Sequence, residues 1–285
     1  MELVDYLRLA RELTASTDIK ELMLSAKYLQ SEMEDKTPSI APTSWINVRD
    51  IVDFIPHLKI QHPIKGAIQF VPWKYQEDTA KLLEENGKKM ALVNMARQMG
   101  GSIIVCALAL YRAATRPNHS ILVVGNTFSN ACEILERIKF MVETCALPLP
   151  HMSVEGKGLI NFNNGSRIIA RAATKEAPRG LSISTLIVDE AAFIPWSKDQ
   201  EFWQAVQPAL AGTDSQTIMV STPNKTRGIF YDLWSKDPST IDAIQHTVIW
   251  SDNPTRDEAW ADYYRTQLGA EKFAREHEGQ FIDDQ

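Results

Sequence analysis

The chain has 285 residues, 44% hydrophobic and 23% charged, enough to bury one large core with or without a small accessory unit. Its 36 acidic against 30 basic residues leave a net charge of -6, which argues against coating nucleic acid through one broad basic face but leaves room for a local patch that grips weakly and repeatedly. No run approaches the roughly 18 apolar residues of a membrane span and no secretory apolar run opens the chain; Cys106, Cys132 and Cys145 have neither metal-site nor paired-disulfide spacing and read as reduced core residues of a cytosolic protein.

In chain order, Leu3, Leu7, Leu9 and Leu13, then Leu22, Leu24, Tyr28 and Met33, recur near helical spacing and predict helices up to about residue 36. The proline-bearing TPSIAPTS, residues 37–44, ends them. FVPWKYQEDTAKLLEENGKK passes from an extended aromatic entry into a helix closed by Asn86 and Gly87. From there short apolar runs alternate with helical ones. MALVNMA (90–96) reads as a buried strand and SIIVCALALYRAA (102–114) as the helix after it; ILVVGN (121–126) and SNACEILERIKFMVETC repeat the unit. LINFNNGSRIIARAA alternates apolar and polar residues about Asn164 and Gly165, a hairpin signal. TLIVDEAAFIP and TIMVSTPN supply two more buried strands, and HTVIW (246–250) a last one before charged helices around 260–268 and 271–278. This order predicts an α/β fold with a mostly parallel sheet flanked by helices, whose ligands sit at the carboxyl ends of the strands.

The chemistry-bearing motifs all fall at those ends. ARQMGGS, residues 96–102, stands where a phosphate-binding loop places its glycine, lysine and hydroxyl residue before a helix; Gly100 and Ser102 fit, and Gly101 occupies the lysine position. Backbone N–H groups and the helix N-terminus can still cradle phosphate oxygens, and Ser102 can ligate Mg²⁺, but the missing ammonium would have offset charge on the β and γ phosphates. A glycine pair before a helix is more often a plain turn, so the weight rests on TLIVDEAAFIP. There Asp189 is placed to hold Mg²⁺ through water and Glu190 to orient and deprotonate an attacking water. At the end of TIMVSTPN, Thr222 or Asn224 can hydrogen-bond the γ phosphate or the water.

As an ordered set, PWKYQ, RQxGxS, FNNGSRI, PRG at 178–180, VDEAAFIP and STPN followed by GIFYDLW resemble the motifs of large terminase subunits of tailed bacteriophages, whose ATPase domain drives DNA into the prohead. The resemblance runs from about residue 70 to 281. It implies a P-loop NTPase core of the ASCE, RecA-like kind over 61–250. It also implies a small helical lid shared between 1–60 and 251–285, followed by a nuclease domain absent from this chain. It implies ATP and Mg²⁺ as cofactors; double-stranded DNA, a portal protein, a small terminase subunit and a ring of identical subunits as partners; and the portal of a prohead in the host cytoplasm as the location.

Carried over by position, the resemblance puts Tyr75 and Gln76 near the adenine. It puts Arg97, Gln98, Met99, Gly100, Gly101 and Ser102 around the phosphates, Thr222 and Asn224 at the γ phosphate, and Ser102 and Asp189 on the metal. Catalytic roles fall to Glu190, to Arg97 within the subunit and to Arg179 as a finger into a neighbouring subunit's pocket, with Lys175 a weaker candidate for the same work. Gly101 departs from the family lysine and predicts a member with impaired hydrolysis, either by an introduced substitution, the favoured reading, or as a natural variant in which Arg97, Lys74 or Lys175 takes over. Asp283 and Asp284 read as solvated carboxylates rather than a metal pair. Two rivals stand beside the motor: a non-catalytic nucleotide-binding module that docks on a portal, and a helicase-like translocase, which needs a second sheet domain for which the chain is too short.

Overall fold

A computed structural model describes residues 43–283 except 86 and 213, and the chain divides into two compact units, residues 1–46 and 47–285. The helices expected before residue 36 and Asp284 lie outside the described residues. The larger unit opens with a short helix α1 (Ile51–Phe54), capped by Asp50, whose carboxylate accepts from the Val52 and Asp53 N–H groups. A two-stranded antiparallel hairpin follows, β1 (Lys59–His62) with β2 (Gly66–Gln69). The sequence pattern does not predict this hairpin, because its four-residue strands show no clean alternation. Helix α2 (Lys74–Glu85) leads into the main sheet.

Eight strands make that sheet: β3 (Met90–Met95), β4 (Ser120–Gly125), β5 (Met152–Val154), β6 (Leu159–Phe162), β7 (Arg167–Ala172), β8 (Thr185–Asp189), β9 (Gln216–Ser221) and β10 (Ala243–Val248). Their order is β10-β3-β9-β8-β4-β7-β6-β5. The pairs from β10 to β7 are parallel, and β6 and β5 close one edge antiparallel. Every residue of β3 and β4 is buried, so both faces of the sheet are covered and the strands read as unbroken apolar runs rather than alternating ones. The crossovers are α3 (Gly101–Thr115), α4 (Phe128–Thr144), α5 (Trp196–Ala211) and the shorter α6 (Ile229–Trp234). This is the expected mostly parallel sheet flanked by helices. The expected hairpin is also present, turning between β6 and β7 at Gly165 with φ +85°, a conformation that suits glycine.

Phe202 and Val206 of α5 and Ile229 and Phe230 of α6 share one core with Leu186, Val188 and Met219 of β8 and β9. Each such side chain contributes about 1.5–3 kcal/mol on burial, and together they fix the carboxyl ends of the two strands. Cys106 lies in the core, Cys132 and Cys145 are only half-buried, and all three are free thiols.

The carboxyl-terminal helices α7 (Glu258–Leu268) and α8 (Ala270–His277) have a small core of their own, in which Trp250, Ala261 and Phe273 pack with Trp260 and Leu268. They pack on the loop after β3 of the same unit: the Arg97 N–H donates to the Glu276 carbonyl at 2.8 Å, and Arg256, just before α7, donates to the carbonyls of Arg97 and Gln98 at 3.3–3.4 Å.

Candidate nucleotide site

Strand order decides which motifs meet. β9 lies between β3 and β8, with Asp189 opposite Val220 in the register, so the end of the STPN strand stands between the glycine loop and the two acids. The loop leaves β3 at Met95 and enters α3 through Gly100, which caps that helix in the left-handed region at φ +86°. Gln98 is also left-handed at φ +62°. Left-handed residues interleaved with ordinary ones turn successive N–H groups to one side, the backbone geometry of an anion cradle. The loop is braced from α2: the buried Gln76 side chain donates to the Met99 carbonyl at 3.1 Å and accepts from the Trp73 N–H at 2.9 Å. Any side chain at Gly100 would run into that amide, since a Cβ there would stand 2.5 Å from Gln76 Nε2.

In front of the loop is a cavity of about 340 Å³, lined among others by residues 97–102, Arg137, Asp189, Glu190, Phe193 and Thr222. The Ser102 hydroxyl donates to both carboxylate oxygens of Asp189, at 3.0 and 3.2 Å. Burial pushes the Asp189 carboxyl up to about 6, against the opposing pull of the Ser102 hydrogen bond and the Arg137 charge. Glu190, at φ +52°, is a non-glycine residue in the left-handed region, a conformation that costs about 1 kcal/mol or more and gathers at functional sites. Its exposed carboxylate borders the cavity beside that of Asp189.

The other predicted residues divide. Thr222 lines the cavity. Asn224 does not: its amide donates to the Ala192 carbonyl at 3.1 Å, while the Ala192 N–H donates to Ser221 Oγ at 3.0 Å, so Asn224 ties the end of β9 to the segment that follows Glu190. Tyr75 is buried beside Arg256, its hydroxyl pushed up to about 12 by that burial, and it too lies off the cavity lining.

Among the cations, Arg97 lines the cavity, but its guanidinium is paired with the Glu276 carboxylate and lies 6.0 Å from the Phe193 ring centre. Arg179 and Lys175 are exposed and outside the cavity, and Lys74 is paired with Asp78. Asp283 accepts from the Thr226 N–H and hydroxyl and stands apart from the site. Arg137, on α4, lines the cavity without belonging to any of the motifs. Its neighbours Ile134, Ile138 and Met141 are buried, so in the sequence it looks like the charged face of an amphipathic helix. Gly101 also bears on the site, because a Cβ there would meet Val220 Cγ1 at 2.9 Å and Met95 Sδ at 3.1 Å. A lysine at that position therefore has to push the β-branched Val220 aside.

Residues 92–285 match a family model described as terminase large subunit, T4likevirus-type, N-terminal. The terminase large subunit of Thermus virus P23-45 is 26% identical over 164 residues, 51% of this chain and 33% of that protein, so the chain spans about a third of the length of that curated relative. The large terminase of bacteriophage HK97 superposes with a TM-score of 0.64 at 20% identity, covering 81% of this chain and 55% of that one. The large terminase ATPase domain of Thermus phage P74-26 gives 0.59 at 19% identity, covering 75% of this chain and 95% of that one. Likeness at this level of identity carries the fold alone, the mostly parallel sheet flanked by helices. No helix among the described residues is long and apolar enough to cross a membrane.

Proposed function

The chain belongs to the family of terminase large subunits, and from that premise we propose that it is a motor domain that hydrolyses ATP to move double-stranded DNA into a prohead. The observation that carries this reading is the placement of Ser102, Asp189 and Glu190 on one cavity, with Ser102 Oγ 3.0 Å from the Asp189 carboxylate. A hydroxyl and a carboxylate side by side at a phosphate loop are the hard-oxygen donors that Mg²⁺ takes, and when bound the ion would offset phosphate charge. The chain's own groups do the rest. The N–H groups of residues 98–102 hold the phosphates, and Glu190 orients a water and takes its proton as the oxygen bonds to the γ phosphorus. The bond from that phosphorus to the bridging oxygen breaks, and its electron pair leaves on ADP. Thr222 contacts the γ phosphate, and the link from Asn224 to the Ala192 carbonyl carries its presence or loss towards the segment after Glu190.

Tyr75 packs near the adenine in this reading, and Gln76 contributes by holding the loop. Arg97, latched to Glu276, gives the carboxyl-terminal helices a direct hold on the phosphate loop, a route by which hydrolysis moves those helices. Arg179, exposed and unused by its own cavity, suits a finger into the next subunit of a ring. That ring docks on a portal with a small terminase subunit, in the host cytoplasm. With Gly101 in the lysine position, turnover is lower than in a lysine-bearing relative.

The same glycine favours a second reading, a nucleotide-binding module that docks without hydrolysis. Steady-state phosphate release with Mg²⁺, with and without DNA, separates the two. Magnesium-dependent turnover supports the motor, and tight ATP binding with no turnover under any condition supports the docking module.

A further inference from the structure

The phosphate loop lacks its lysine, yet the charge on a triphosphate still has to be met. Among the described residues, the cations that line the cavity are Arg97 and Arg137. Arg97 is half-exposed and is held through its Nε on the Glu276 carboxylate. Arg137 makes no ion pair and no hydrogen bond among the described residues, and besides the main cavity it borders two adjoining ones. One of these it shares with Ser102, Asp189 and Glu190, the other with Lys59, Gln61 and Ile103. It therefore stands on the side of the site where Ser102, Asp189 and Glu190 meet. Its position is fixed because α4 is anchored through Ile134, Ile138 and Met141, each no more than 2% exposed.

We propose that Arg137 supplies the cation that Gly101 does not, reaching from α4 to bind the β and γ phosphate oxygens. This rests on the ATPase reading of the same cavity. A guanidinium suits that role because its planar fork matches two phosphate oxygens at once. It also stays charged throughout, so it stabilises the transferring phosphoryl group without gaining or losing a proton. The close approach of Val220 to position 101 fits the same division of labour, since even the Cβ of a side chain there would crowd Val220.

The test compares the full chain with Arg137→Ala and Arg137→Lys, measuring affinity for ATP, ADP and AMP and steady-state hydrolysis with Mg²⁺. Arg137 is exposed, so unchanged thermal melting of the variants checks that any effect is local. Arg137→Ala is expected to weaken ATP binding at least about tenfold and lower kcat about a hundredfold or more. The loss in affinity shrinks from ATP to ADP to AMP as the phosphates are removed, and Arg137→Lys falls between alanine and the parent. Equal ATP affinity and turnover in the parent and Arg137→Ala would overturn the proposal while leaving the ATPase reading intact, and an equal loss for all three nucleotides would overturn it in favour of a structural role. Failure of the parent chain to bind ATP at all would remove the ATPase reading itself, and this proposal with it.

Discussion

The two ends of the parallel sheet treat charge in opposite ways, and Arg112 and Arg137 show it. At the amino end of the strands Arg112 is 2% exposed and fully engaged. Its Nε donates to Glu84 at 2.8 Å, one Nη to Thr185 Oγ1 at 3.0 Å, and the other to the Leu83 carbonyl at 2.9 Å and Gln216 Oε1 at 2.7 Å. Arg116 joins Glu84, His119 meets Thr185 Oγ1 at 2.8 Å, and Lys88 and Lys89 are paired with Asp242 and Asp214. At the carboxyl end Arg137 is exposed and unpaired among the described residues, and Glu190 faces a cavity.

Backbone strain follows the same divide. The left-handed non-glycine residues at the amino end are Asn118 and Asp242, types that tolerate that conformation, whereas at the carboxyl end they are Gln98 and Glu190, which seldom adopt it. One end closes its charges on each other and holds the fold; the other, Arg97 and Glu276 apart, leaves Arg137 and Glu190 open to the cavity.

The sharpest way to break this comparison is Glu190→Gln. Losing the proposed general base is expected to lower kcat about 10²- to 10⁴-fold, with ATP affinity and melting temperature near those of the parent; a quenched-flow or coupled phosphate assay reads it. Next comes Arg112→Ala, which leaves Glu84 to Arg116 alone and takes the donor from Thr185 Oγ1, the Leu83 carbonyl and Gln216 Oε1; it should cost about 2–4 kcal/mol in urea unfolding, while turnover per folded molecule is unchanged. A large effect on kcat with little on stability would erase the distinction between the two ends.

Gly101→Lys is expected to raise turnover several-fold or more, but with a stability loss of about 1–3 kcal/mol from crowding Val220; adding Val220→Ala recovers part of that loss. In that background Arg137→Ala should cost less than it does alone, a coupling that a double-mutant cycle measures.

The smallest effect is that of pH at the amino end. Burial, together with the Arg116 and Arg112 charges, lowers His119 from its ordinary 6.5 to about 4. Between those values the unfolded chain binds the proton more readily than the folded one, so stability is present above about pH 6.5 and is lost as pH falls towards 4. Because the ring is only partly buried, the loss is about 1–2 kcal/mol. His119→Gln, which keeps a partner for Thr185, should flatten the melting temperature over that window.

How far the sequence foretells this arrangement depends on how local each signal is. The strands are legible because a strand covered on both faces is a continuous apolar run, and Asp189 and Glu190 because they end one. The order of the strands is not, since nothing in β9 itself says that it inserts between β3 and β8. The bracing of the loop by Gln76, the latch from Glu276 and the contacts of Arg256 join residues 23, 179 and 159 positions apart, and in the sequence the first two look like ordinary helix surface and the third like a loop charge. Arg137 is hidden for the same reason. The STPN motif points Asn224 at the phosphate, but its amide is turned to the Ala192 carbonyl, a choice made by packing rather than by motif.

The most direct test of the central claim is a structure of the chain with Mg²⁺ and a non-hydrolysable ATP analogue. The expected result is phosphates seated on the N–H groups of residues 98–102, a metal between Ser102 and Asp189, and the Arg137 guanidinium on the β and γ oxygens. Nucleotide bound elsewhere, or phosphates on the loop with Arg137 still turned to solvent, would contradict it, the first for the whole site and the second for the arginine alone.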